Sequence, residues 1–137
     1  MTTNESATAS PETSTGMLWG GRILTALPTL ALIASALGKL TLAAGVVEML
    51  GTKLGFSTGS IRLIGALELT FALLFAFPGT AVLGAVLLSA YMGGAESVHL
   101  RFEGSLVPAP IVLAAMAWAA LYLRDPRVRA LLPLRKS

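Results

Sequence analysis

Four long apolar segments constrain the fold of this chain more than any other feature of its sequence. They run over residues 23–42, 61–77, 81–100 and 106–123. A helix needs about 20 apolar residues to cross a hydrocarbon layer about 30 Å thick, and about 17 is the short limit. The segments are continuously apolar, whereas the strands of membrane barrels alternate apolar and polar residues. We therefore predict an all-α fold, an integral membrane bundle of four transmembrane helices.

The charge content of the chain supports a lipid environment. Of its 137 residues, 55% are hydrophobic and only 12% are charged, whereas soluble domains contain roughly 25% charged residues. The formal net charge is +3, but the basic residues lie beside the apolar segments, where they set membrane orientation. We therefore expect the lipid bilayer to be a partner and nucleic acid not to be one.

Domain organisation and orientation follow from the distribution of polar residues. Residues 1–18 are rich in Ser and Thr and are predicted to be a disordered tail, and residues 19–137 to form one four-helix domain. With four crossings, the membrane face that holds both termini carries most of the Lys and Arg, densest near the C-terminus. This excess predicts that both termini lie in the cytoplasm. The segment Phe77–Thr80 is predicted to be a tight turn, with Thr80 capping the next helix.

Four ionisable residues in or against the apolar segments are the candidate binding site. Lys39 lies in the first segment, Glu68 in the second, and Glu96 and His99 in the third. Ionisable groups within a membrane are costly and mark functional sites by default. We expect them to line a polar cleft open to the outside, with Tyr91 and Trp118 as a candidate aromatic wall for a flat ligand. The alternative is that Lys39 and Glu68 only neutralise each other and that His99 is an interfacial hydrogen-bonding residue.

The absence of some residue types limits the chemistry. The sequence has no Cys and one His, which excludes thiolate nucleophiles, iron–sulfur ligation, a bis-histidine haem and a three-ligand zinc site within one chain. No metal site is predicted, and the catalytic residues stay unassigned. A redox role would need a bound cofactor, a quinone or a partner subunit, so we expect this chain not to be an enzyme on its own.

Several motifs, taken together in their order and spacing, resemble the DoxX-like family of small bacterial four-helix membrane proteins. They cover nearly the whole chain apart from the tail: Gly38-Lys39, Gly65–Glu68, Thr80–Ala85, Tyr91–Ala95, His99–Arg101, Trp118 with Leu121–Asp125, and Arg129–Pro133. The resemblance implies a four-helix membrane bundle in the cytoplasmic (inner) membrane of a bacterium. It also implies an association with redox partners and with quinone as electron acceptor, but it carries over no catalytic residue.

Three functions remain open from the sequence. The first is a quinone-linked redox accessory or membrane subunit of a redox complex, with redox enzyme subunits as partners. The second is a structural or assembly protein without catalysis, whose charges serve only packing. The third is a small transporter with the outward-facing cleft as its entry site. Because four helices without an evident inverted repeat make a thin wall, the third function requires a homo-oligomer.

Overall fold

The computed structural model describes residues 13–132, and within this range the chain is helical with no strand. The helices are α1 (Thr15–Leu40), α2 (Ala44–Val46), which continues into a π-helical segment (Val47–Lys53), α3 (Thr58–Ala76), α4 (Ala81–Glu103), α5 (Pro108–Arg124) and α6 (Pro126–Leu131). The predicted all-α class is confirmed. The predicted disordered state of residues 1–12 lies outside the described residues.

Helix α1 begins earlier than the apolar pattern indicated. The sequence placed its start near Ile23 and the tail boundary at residue 18, whereas α1 begins at Thr15. The Ser14 side chain accepts a hydrogen bond from the Met17 backbone N–H at 3.3 Å, which satisfies one of the free donors at the helix start. This N-cap lies nine residues before Ile23, in a polar stretch that hydrophobic periodicity does not detect.

The turn between α3 and α4 differs from the prediction in one contact. Thr80 precedes α4, but its side chain does not cap that helix. Its hydroxyl instead donates to the Leu74 carbonyl at 2.7 Å. The last four carbonyls of a helix have no partner within that helix, so Thr80 satisfies the end of α3 rather than the start of α4. The predicted capping role of Thr80 is therefore wrong.

The four long helices pack as neighbours in the order α1, α3, α4 and α5, and α5 returns to contact α1. Glycines allow the closest contacts. A Cβ atom at Gly84 would lie 2.2 Å from the Phe75 backbone nitrogen, and one at Gly65 would lie 2.8 Å from Lys39 Cβ. The buried core between the helices is apolar and includes Leu32, Ala72, Phe75, Ala85, Leu88, Met92, Ala117 and Leu121.

The outer surface of the helices is also apolar. Helices α1, α3 and α4 are long and apolar enough to cross a membrane, judged by length and composition, and α5 is a shorter apolar helix of 17 residues. Large side chains such as Leu30, Leu63 and Leu83 are more than half exposed. Water does not tolerate so much contiguous apolar surface on a monomeric soluble protein. The helices therefore indicate a membrane protein.

Candidate functional site

A cavity of about 660 Å³ lies among α1, α3, α4, α5 and the segment that joins α1 to α3. Most of its wall is apolar, with Met49, Ile64 and Leu113 among the contributing side chains. The polar side chains in the wall are Ser35, Lys39, Glu68, Tyr91 and His99, and Gly94 of α4 also lines the cavity. Ligand cavities usually occupy about 300–1,000 Å³ and combine apolar walls with a few placed polar groups, so this cavity is the candidate binding site.

The predicted contact between Lys39 and Glu68 is present in the cavity wall. Lys39 Nζ lies 2.7 Å from Glu68 Oε2, and the Glu68 side chain is only 4% exposed. Ser35 joins both groups, because its hydroxyl accepts from Lys39 Nζ at 2.5 Å and donates to Glu68 Oε2 at 3.3 Å. Gly65, one turn before Glu68, lets α3 approach α1 closely enough for this cluster to form. The cluster is a compensated charge pair that faces an apolar cavity.

Tyr91 and His99 extend the polar part of the wall along α4. The Tyr91 ring packs edge-to-face on Phe71 with centroids 6.3 Å apart, and Tyr91 lines the same cavity as Glu68. His99 Nδ1 lies 3.2 Å from Glu103 Oε1, one helical turn along α4. When Nδ1 carries the proton and donates to Glu103, Nε2 is left as an acceptor. The two side chains thus add a hydroxyl and an imidazole to the Lys39–Glu68 pair.

Glu96 takes no part in the cavity wall, although the sequence grouped it with His99. Its side chain is buried, and its Oε1 accepts a hydrogen bond from the Val107 backbone N–H at 2.9 Å, just before α5 begins. Glu96 Oε2 is buried and has no partner among the described residues. Side chains three positions apart on a helix still point about 60° away from each other, and here this angle directs Glu96 towards the α4–α5 connection.

Trp118 also lies away from the cavity. Its Nε1 donates to Ser89 Oγ at 2.9 Å, which ties α5 to α4, while its ring packs against the buried core. Of the predicted site residues, the structure therefore brings Lys39, Glu68, His99 and Tyr91 to one cavity and places Glu96 and Trp118 elsewhere.

The connection between α1 and α3 forms a wall of the cavity that sequence reasoning did not predict. Val46, Met49, Leu50, Leu54 and Phe56 all face the cavity from this connection. The apolar residues Val46, Met49 and Leu50 are typical of a short interfacial helix, and the structure contains a helix here as α2 and the π-helical segment. The sequence did not reveal that this segment lines the same cavity as the Lys39–Glu68 pair. No cluster of His, Asp and Glu suited to hold a metal ion occurs among residues 13–132.

Helices of this length and apolarity, with the charges of Lys39 and Glu68 compensated between two of them, are typical of a helical membrane protein. Residues 23–120 match the sequence model of the DoxX-like family, and the chain belongs to this family. The match confirms the resemblance stated from the sequence motifs and spans all four long helices, in whole or in part. Searches among curated proteins and among solved structures give no match.

Proposed function

We propose that this chain is a quinone-linked membrane accessory of a redox enzyme, and that its cavity binds the quinone ring. The observation that supports this proposal is the placement of the Lys39–Ser35–Glu68 cluster in an otherwise apolar cavity. A quinone has a flat apolar ring and two carbonyl oxygens that accept hydrogen bonds. The ammonium of Lys39 and the hydroxyls of Ser35 and Tyr91 are donors of the required kind.

The acid groups of the cavity fit the proton chemistry of a quinone. Reduction of a quinone to its quinol takes up two electrons and two protons. Glu68 and His99 can exchange protons with a ligand at this wall, whereas the chain has no Cys to carry electrons. The electrons must therefore come from a partner redox subunit, and the role of this chain is to bind the quinone and supply its protons.

The proposal includes a membrane arrangement. Helices α1, α3, α4 and α5 would each cross the cytoplasmic membrane as a four-helix bundle, with both termini in the cytoplasm. At 1.5 Å per residue, the 17 residues of α5 span about 26 Å, close to the thickness of the hydrocarbon layer. The positive charges of Arg124, Arg127 and Arg129 support a cytoplasmic C-terminus. Reporters fused after Ser137 and within residues 52–58 should give opposite signals, and equal signals would contradict this arrangement.

Glycines on α4 provide a matched test of ligand binding. A side chain at Gly94 would enter open space in the cavity wall, whereas one at the neighbouring Gly93 would enter open space outside the cavity. We expect Gly94→Leu to weaken binding of decylubiquinone, measured by titration in detergent, by at least about tenfold, or about 1.4 kcal/mol. Gly93→Leu controls for the added apolar volume and should keep the affinity of the unmodified chain. Equal affinities for the two variants would exclude the cavity as the binding site.

A structural or assembly role is the second candidate, and specific contacts favour it. Lys39 and Glu68 already neutralise each other, and Glu96 already serves the α4–α5 connection. A chain that binds no decylubiquinone and purifies in a stable complex without a cofactor would support this second role. A transport role would require ions or protons to pass along the same polar cluster in an oligomer of the chain. Ion flux into vesicles that contain the purified chain would support this role.

A further inference from the structure

A second groove, of about 560 Å³, lies at the opposite end of the helices from the first cavity. It is bounded by the first half of α1, the α3–α4 turn and the end of α5. Its residues combine two arginines, an acidic residue and two threonines with apolar side chains: Leu18, Arg22, Thr25, Ala26, Thr29, Leu30, Ala76, Pro78, Ala81, Leu121, Arg124 and Asp125.

The two guanidinium groups of the groove belong to adjacent helices. Gly21 lets α1 approach α5 so closely that a Cβ atom there would lie 3.0 Å from Arg124 Cβ. This contact brings Arg124 to α1, and Arg22 and Arg124 both line the groove. Arg124 donates to the Phe75 carbonyl at 3.1 Å, and the Arg22 guanidinium lies 5.4 Å from the centre of the Trp19 ring. Neither arginine forms an ion pair within residues 13–132, so both retain donors for an anion.

The remaining polar groups of the groove leave this positive charge available. The Asp125 carboxylate accepts the Arg127 backbone N–H at 2.9 Å and caps α6, so part of its acceptor capacity is already used. Further along α1, about 10 Å from Arg22 at 1.5 Å per residue, the buried hydroxyl of Thr29 has no partner among the described residues. A buried hydroxyl without a partner costs free energy, and an oxygen from a ligand in the groove would remove that cost.

We propose that this groove is a binding site for an anionic phospholipid. The lipid phosphate would contact Arg22 and Arg124, an oxygen of the glycerol ester region would approach Thr29, and an acyl chain would follow the apolar wall formed by Leu30 and Ala81. Bidentate contacts suit arginine and phosphate, and basic pockets between helices at the cytoplasmic face bind anionic lipid head groups. The site depends on membrane insertion of the chain but not on quinone binding in the first cavity.

The test compares lipids and variants by thermal stability of the full chain in detergent. Dioleoyl phosphatidylglycerol should raise the melting temperature, whereas dioleoyl phosphatidylcholine and inorganic phosphate should not. Arg22→Gln should weaken the apparent affinity for phosphatidylglycerol about fivefold. Arg127→Gln removes the same charge at the same end of the molecule but outside the groove, and it should keep the affinity. Arg22 is exposed and makes no hydrogen bond among the described residues, so its replacement should leave the fold intact.

A second variant tests the groove without changing any charge. Ala26→Phe would fill the groove and should weaken phosphatidylglycerol binding, whereas Ala34→Phe, exposed on α1 outside both cavities, should not. Equal stabilisation by the two lipids, or equal losses for Arg22→Gln and Arg127→Gln, would overturn the proposal in favour of non-specific contact. Stabilisation by inorganic phosphate to the same extent would show that the groove binds a free anion and not a lipid.

Discussion

The ion pair between Lys39 and Glu68 predicts a large energetic coupling. Their charged atoms are 2.7 Å apart, and the side chains are only 13% and 4% exposed. Removal of one partner from a buried pair leaves an uncompensated charge and costs about 3–5 kcal/mol. Because Ser35 still contacts whichever partner remains, we expect the lower end of this range. Lys39→Met and Glu68→Gln should each lower the free energy of unfolding by about 3 kcal/mol.

The double variant separates a coupled pair from two independent residues. Once both charges are removed, no uncompensated charge remains, so Lys39→Met/Glu68→Gln should recover much of the stability lost in either single variant and cost only about 1 kcal/mol rather than the sum of about 6 kcal/mol. The free energies can be measured by denaturant unfolding of the chain in mild detergent, with Lys53→Met as a control. Lys53 is exposed in the α1–α3 connection, and its replacement should change stability by less than about 0.5 kcal/mol. A double variant that is no more stable than the less stable of the two single variants would refute the coupling.

Three further substitutions test other contacts of the structure. Gly84→Ala should lower the melting temperature strongly, because the added Cβ would lie 2.2 Å from the Phe75 backbone nitrogen of α3. Gly79→Ala is the control and should not lower it, since nothing lies within 4 Å of a Cβ at that position. Equal melting temperatures for the two variants would contradict the close packing of α3 and α4. Glu96→Ala should cost about 1–3 kcal/mol by leaving the Val107 N–H without its acceptor, and decylubiquinone titration should show unchanged affinity. His99→Ala should lower the affinity for decylubiquinone and leave the melting temperature nearly unchanged. A lowered melting temperature with unchanged affinity would remove His99 from the site.

The sequence predicted the helices because long apolar segments carry a strong and local signal. All four predicted segments correspond to helices, but their ends differ by up to eight residues, as at the start of α1. Helix ends depend on capping contacts such as that of Ser14, which apolarity does not encode. The Lys39–Glu68 contact was predictable because two opposite charges in apolar segments must find partners or water.

The site predictions that failed concern which neighbours a side chain faces, not which residue types the helices contain. Glu96 and His99 are close in sequence, but they point about 60° apart around α4. Which neighbour each one meets depends on where α5 begins, and the Val107 N–H binds Glu96 there. Trp118 lies in an apolar segment and could be an aromatic wall by residue type alone, but its indole N–H needs a hydrogen-bond partner and donates to Ser89. The α1–α3 connection lines the cavity, and this is a tertiary contact that no local sequence pattern encodes.

The most direct test of the proposed quinone site is to extract the chain from its native membrane in mild detergent and quantify the bound quinone. We expect quinone in an amount close to one per chain in the unmodified protein. We expect strong depletion in Gly94→Leu and none in Gly93→Leu, because only Gly94 lines the cavity. The same quinone content in all three preparations, or none in any of them, would contradict the account.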